Sequence, residues 1–247
     1  MTITDNTFVD LETPRGLMRT HLFIPQGMGR FPGVIFYSEI FQVTGPIHRM
    51  AAALAGQGYI VAVPEVYHEF EAPGTVLAYD QVGSDRGNTL KTTKEIASYD
   101  DDTAAVAKYL LGHELCTGQL ASYGVCLGGH LAVRAGFHPD IKAVAAFYPT
   151  DIHTSTLGAG KQDDTFARLG QSSAAYLLVF GRQDPHVPEE GRLKIYQRLN
   201  EVKADFEWHE FNAAHAFLRD EGPRYNPALA RVSLELLLRY LSEKLVG

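Results

Sequence analysis

Two cysteines and one tryptophan are all that 247 residues contain of those types. Cys116 and Cys126 are too few for the disulfide framework that staples small secreted domains, and a chain of this length buries enough core to do without one. A single bridge between them is the minor reading. No run of apolar residues reaches the ~20 that cross a bilayer, and the first residues, MTITDNTFVDLETPRG, lack a basic region leading into an apolar core. These absences set the expectation of a cytoplasmic protein with no membrane partner. Basic blocks are missing too: the formal net charge is −7 with no dense cluster of Lys and Arg, so nucleic acid is not an expected partner. The His-Glu pairs at His68, His113 and His209 are not followed by a second histidine at helical spacing. Neither a metal site nor a cofactor is predicted.

What is present is an ordinary globular composition, 45% hydrophobic and 21% charged, read as one domain over residues 1–247. Apolar, β-branched runs alternate with helix-like segments, which points to an α/β fold with a mostly parallel sheet and helices on both faces. Thr20 to Pro25 and Gly33 to Glu39 flank a glycine-containing turn, QGMGRF, that suits an antiparallel N-terminal start. Parallel strands are expected over Tyr59–Pro64, Leu120–Val125, Ala143–Pro149, Ala175–Gly181 and Asp205–Phe211. Between them lie the helical segments PIHRMAAALAGQG, KEIASYDDDTAAVAKYLLG, LGGHLAVRAGF, PEEGRLKIYQRLNEV and PALARVSLELLLRYLSEKL. Two polar stretches, Glu65 to Thr93 and Asp151 to Ser173, read as long irregular connections near a ligand.

The stretch YGVCLGGH, Tyr123 to His130, places Cys126 between small residues where a strand passes into a helix. That is the thiol form of the G-x-[nucleophile]-x-G turn. Glycines let neighbouring elements approach such a sharp turn, and the following helix points free N–H groups at the same spot. Alone, the pattern also describes a buried small hydrophobe. Two more pieces weigh against that. Asp184, in LLVFGRQDPHVP, follows a strand-like run, and His215, in EFNAAHAFLRD, follows the last one. The order Cys126, Asp184, His215 is nucleophile, acid, base, as α/β hydrolases arrange them. The imidazole accepts the thiol proton, the carboxylate holds its tautomer, and backbone N–H groups stabilise the tetrahedral oxyanion. Those donors are expected from Leu127 and Ile40.

With SEIF carrying Glu39, GVCLGG carrying Cys126, GRQDPHVP carrying Asp184, AAHAF carrying His215, and Arg219 four residues later, the chain resembles the dienelactone hydrolase family over nearly its whole length. The resemblance implies an α/β-hydrolase fold and a Cys-His-Asp triad that opens a lactone bearing a carboxylate, through a thioester. It further implies that Glu39 pairs with Arg219 at rest and is displaced by the substrate carboxylate, whereupon it helps deprotonate Cys126. A second carboxylate-binding arginine belongs in the loop after the third parallel-type strand, and Arg86 in GSDRGN is the nearest candidate. A general carboxylesterase or thioesterase with a wider pocket, and a weakly catalytic binding protein on the same scaffold, are the competing readings. The expected partner is a small lactone or ester, for a monomer or small homo-oligomer.

Overall fold

The computed structural model describes residues 1–246. In chain order the elements begin with β1 (Ile3–Thr13), β2 (Gly16–Pro25), β3 (Phe31–Tyr37), α1 (Gly45–Ala55), β4 (Ile60–Pro64) and α2 (Gln81–Thr93). They continue with α3 (Ile96–Gly112), β5 (Cys116–Val125), α4 (Leu127–Ala135), β6 (Ile141–Phe147), the short α5 (Thr165–Arg168) and β7 (Ala175–Gly181). The chain closes on α6 (Glu189–Glu201), β8 (Phe206–Phe211) and α7 (Pro227–Leu245).

One eight-stranded sheet results, in the order β1-β2-β4-β3-β5-β6-β7-β8. Strands β3 to β8 run parallel, and only β1 with β2 and β2 with β4 pair antiparallel. The interior strands β3, β4 and β7 are buried along their full length, as strands covered on both faces must be. Alternation along β5 assigns the faces. Tyr123 lies among residues of α1 and α7, while its neighbours Ser122 and Gly124 face α4, the Ser122 hydroxyl donating to the Ala132 carbonyl at 2.8 Å. Successive side chains point to opposite faces, so α1 and α7 cover one side and α4 the other.

Two expectations are corrected. The antiparallel start exists, but it is the hairpin of β1 with β2. The runs on either side of QGMGRF are not neighbours, because β4 lies between β2 and β3. The stretch from Glu65 to Thr93 is not irregular throughout, since nearly half of it, from Gln81 on, is α2. Asp80 caps that helix by accepting from the Gly83 N–H at 2.8 Å. The connection leading to α2 is also tied down: the fully buried Lys94 ammonium reaches Glu69 at 2.6 Å and Asp102 at 2.9 Å, and His68 reaches Asp102 at 3.0 Å. Among the described residues, no helix is long and apolar enough to cross a membrane.

Candidate active site

Cys126 stands at the carboxyl end of β5 with φ 59° and ψ −124°, one residue before α4. A positive φ costs a non-glycine residue on the order of 1–3 kcal/mol and persists only where its surroundings impose it. Here the imposition is steric. A Cβ on Gly124 would stand 1.9 Å from the Gly128 carbonyl oxygen, and one on Gly128 would stand 2.0 Å from that of Tyr37. The two glycines therefore let α4 press against β5 and against the turn after β3. The Cys126 N–H donates to the Phe147 carbonyl at 3.1 Å, and its carbonyl accepts from Thr150 N–H at 3.3 Å. His130, one helical turn on, donates from Nδ1 to the Thr150 carbonyl at 2.8 Å. By contrast, the N–H groups of Ile40 and Leu127 donate to no protein acceptor among the described residues.

Asp184 and His215 sit on loops that extend the β7–β8 ladder beyond its strands. Arg182 N–H donates to the Phe211 carbonyl at 2.8 Å and Gln183 N–H to that of Ala213 at 2.9 Å. Gly181 allows this approach, for a Cβ there would lie 2.4 Å from the Ala213 oxygen. The outcome is a 2.6 Å hydrogen bond from His215 Nδ1 to Asp184 Oδ2, while Asp184 Oδ1 accepts from His186 N–H at 2.8 Å. With Nδ1 committed, Nε2 is the nitrogen left for the cysteine. Burial pulls the His215 pKa down, but the charge of an ionised Cys126 sulfur and the Asp184 carboxylate outweigh it and push it up to about 10, so the imidazolium is held once the thiol has given up its proton. The His186 ring packs edge-on to that of His215 at 4.6 Å. Its own pKa is lowered by burial and by the charge on His215.

Glu39 ends the turn after β3, almost fully buried, with Oε2 3.6 Å from Arg219 Nη1. Burial pushes its pKa up, against the opposing pull of Arg219, His215, Tyr79 and Arg224. The Tyr79 hydroxyl donates to Glu39 at 3.2 Å and meets the Thr44 hydroxyl at 2.6 Å. The Arg219 guanidinium lies 4.3 Å from the centre of the Tyr79 ring. Asp220 and Glu221 are engaged elsewhere, both on Arg49.

These groups surround a cavity of about 340 Å³ lined by Cys126, His215, Glu39, Ile40 and Arg219, among others. Arg86 is not part of it: it lies on another side of α2, exposed, with its guanidinium on Glu71 at 2.6 Å. The second arginine facing the cavity is Arg224, which forms no ion pair among the described residues, and Lys91 of α2 lines the cavity paired to Asp151 at 2.9 Å. Sequence reasoning missed both, together with His186, although His186 lies in the same GRQDPHVP segment as Asp184. Both cysteines are free and buried. Among the described residues, no group of three or more His, Cys, Asp or Glu is placed to hold a metal ion.

The dienelactone hydrolase family model matches residues 18–245. A Saccharomyces cerevisiae protein named "Putative carboxymethylenebutenolidase" is 38% identical, covering 99% of this chain and 93% of its own. A "Carboxymethylenebutenolidase" of a Pseudomonas species is 27% identical over 91% of both chains. Among solved structures, a "Putative Dienelactone Hydrolase" from Klebsiella pneumoniae superposes with a TM-score of 0.84, at 22% identity, over 98% of this chain and 99% of that one. The sheet described above is accordingly the α/β-hydrolase fold.

Proposed function

The chain belongs to the dienelactone hydrolase family, and from that premise we propose that it hydrolyses a small lactone or ester bearing a carboxylate, with Cys126 as nucleophile. The observation that carries this reading is the shared cavity. It holds a cysteine strained at φ 59° and a glutamate–arginine pair 3.6 Å apart whose arginine can take an incoming carboxylate instead.

In the proposed cycle the substrate carboxylate binds Arg219, drawn in by the unpaired Arg224, and displaces Glu39. Arginine suits this anchor because its planar fork holds a carboxylate with two parallel hydrogen bonds. The freed Glu39 carboxylate, made more basic by burial, helps deprotonate Cys126 by favouring the imidazolium that forms as the thiol proton passes to His215 Nε2. Asp184 stabilises the imidazolium that forms. The thiolate adds to the ester carbonyl, and the oxyanion is received by the N–H groups of Ile40 and Leu127. Collapse breaks the ring C–O bond; the leaving oxygen takes the proton from His215, and a thioester remains on Cys126. His215 then removes a proton from water, the hydroxide adds to the thioester carbon, and the sulfur departs and regains that proton. One water is consumed in total.

Steady-state and rapid-quench kinetics on a carboxylate-bearing lactone and its neutral methyl ester test the proposal. Cys126→Ala should lose several orders of magnitude in kcat, and Arg219→Ala should abolish the preference for the acid over the methyl ester. Full hydrolysis by Cys126→Ala would sink it. Equal turnover of acid and methyl ester by the wild-type protein would favour a general carboxylesterase with the same triad.

A further inference from the structure

Helix α2 contributes a cavity wall that the proposed cycle does not use. Its interior glycines set how close it comes: a Cβ on Gly87 would lie 2.5 Å from the Ile40 carbonyl oxygen, and one on Gly83 would lie 2.0 Å from that of Ala78. Backbone thus packs on backbone, and the helix stands against the Ile40 turn with no side chain between. The neighbouring stripe, Gln81, Ser84, Asn88 and Lys91, then lines the cavity. The outer members are occupied, Gln81 by Asp85 at 2.8 Å and Lys91 by Asp151 at 2.9 Å. The Ser84 hydroxyl and the Asn88 amide between them make no side-chain hydrogen bond to the protein among the described residues, and they sit one helical turn, about 6 Å, apart.

The charges lining the cavity decide what such a wall can receive. Of the carboxylates, Asp80 is spent on capping α2, Asp151 holds Lys91, and Glu39 faces Arg219. Only Arg219 and Arg224 remain for an arriving anion, and they lie at the Glu39 end. A second anion beside α2 would meet Asp80 and Asp151. An alkyl group packed over the pair would strip water from the Ser84 hydroxyl and part of the Asn88 amide and return no hydrogen bond. Ser84 is half-buried and Asn88 exposed, so the cost falls mainly on Ser84.

We infer that Ser84 and Asn88 form a second subsite, and that the substrate is a monoanion carrying a neutral hydroxyl-bearing group on the side remote from its carboxylate. The inference rests on the functional reading above and narrows its substrate class. It is tested on three carboxymethylene-substituted butenolides that differ at one remote ring carbon, bearing hydroxymethyl, methyl or a second carboxymethyl group. The wild-type protein should prefer hydroxymethyl over methyl by roughly tenfold in kcat/KM, expressed in KM, the size of one hydrogen bond's worth of discrimination. The doubly acidic compound should be the poorest. In the double variant Ser84→Ala with Asn88→Leu the hydroxymethyl-to-methyl ratio should fall to near one. A ratio of one in the wild-type protein, an unchanged ratio in the double variant, or a preference for the second acid would each overturn the inference. Calorimetric binding of the same compounds to Cys126→Ala reads the ratio without turnover. If no lactone is opened yet the binding ratio holds, the functional reading fails and the subsite stands.

Discussion

At the scale of the residue, Tyr79 touches both partners of the Glu39–Arg219 pair. Its hydroxyl donates to Glu39 at 3.2 Å and its ring lies under Arg219 at 4.3 Å. The hydrogen bond favours the charged form of Glu39, one of the influences that oppose burial. Tyr79→Phe keeps the ring and removes that donor, so the Glu39 pKa should rise further and the carboxylate should be lost at higher pH. The acid limb of the pH profile of kcat/KM should therefore move upward, by about half a unit to one unit for a single hydrogen bond. A limb that stays in place would remove Glu39 from the chemistry. The placement of Cys126, Asp184 and His215 as candidates is legible in the sequence because each follows within a few residues of a recognisable strand, and the end of a strand fixes where its next side chains emerge. Arg86 was misplaced for the complementary reason. Without knowing that its segment is helical, nothing reveals that residues 84, 88 and 91 share one face and residue 86 another. Arg224 follows Gly222 and Pro223 in a loop, where no periodicity exists to betray its direction.

At the scale of the element, α2 illustrates how a helix can be built against its own propensity. Gly83 and Gly87 cost roughly 1 kcal/mol each in a helix interior relative to alanine. In isolation Gly87→Ala would strengthen the helix. In place, the new Cβ would lie 2.5 Å from the Ile40 oxygen and 2.9 Å from the Ile40 Cβ. Neither contact is the end of a flexible side chain, so the Ile40 turn must shift and carry its N–H out of line with the oxyanion. The expected result is a drop in kcat on the order of tenfold to a hundredfold with KM far less affected, measured by steady-state kinetics beside a thermal melt. An unchanged kcat would mean that Ile40 donates nothing. The same composition hid α2 from sequence reasoning, for Val82 and Leu90 are its only large apolar residues and the 3.6-residue signal never forms. Strand β1 escaped for want of contrast: its residues are exposed or half-buried throughout, so burial leaves only a faint mark on its sequence. The buried strands β3, β4 and β7 were legible because continuous apolar runs have few other uses in a chain of this kind.

At the scale of the molecule, Lys91 and Asp151 join α2 to the segment after β6 across the cavity, each side chain 16% exposed. Burial alone would raise the Asp151 pKa, but Lys91 and the Thr150 hydroxyl outweigh it and hold it down to about 2. A depressed carboxylate stabilises the fold fully above its unfolded value of 3.8 and loses that contribution as the pH falls through about 2. Lys91→Met should therefore lower unfolding stability by about 2 kcal/mol at neutral pH. The difference from wild type should shrink between pH 4 and pH 2, as followed by denaturant titration at each pH. A pH-independent difference would assign the loss to packing. The alternation of strand and helix announced a parallel sheet, yet it could not announce the strand order, because β2 skips β3 to pair with β4. Strand β5 has one more consequence. Cys116 opens it and Cys126 follows its last residue, and its ten residues at about 3.3 Å each set the two sulfurs roughly 30 Å apart. No disulfide can span that distance. Once oxidised, Cys126 has no resolving thiol in its own chain, so repair of a sulfenic acid there falls to reductants from outside.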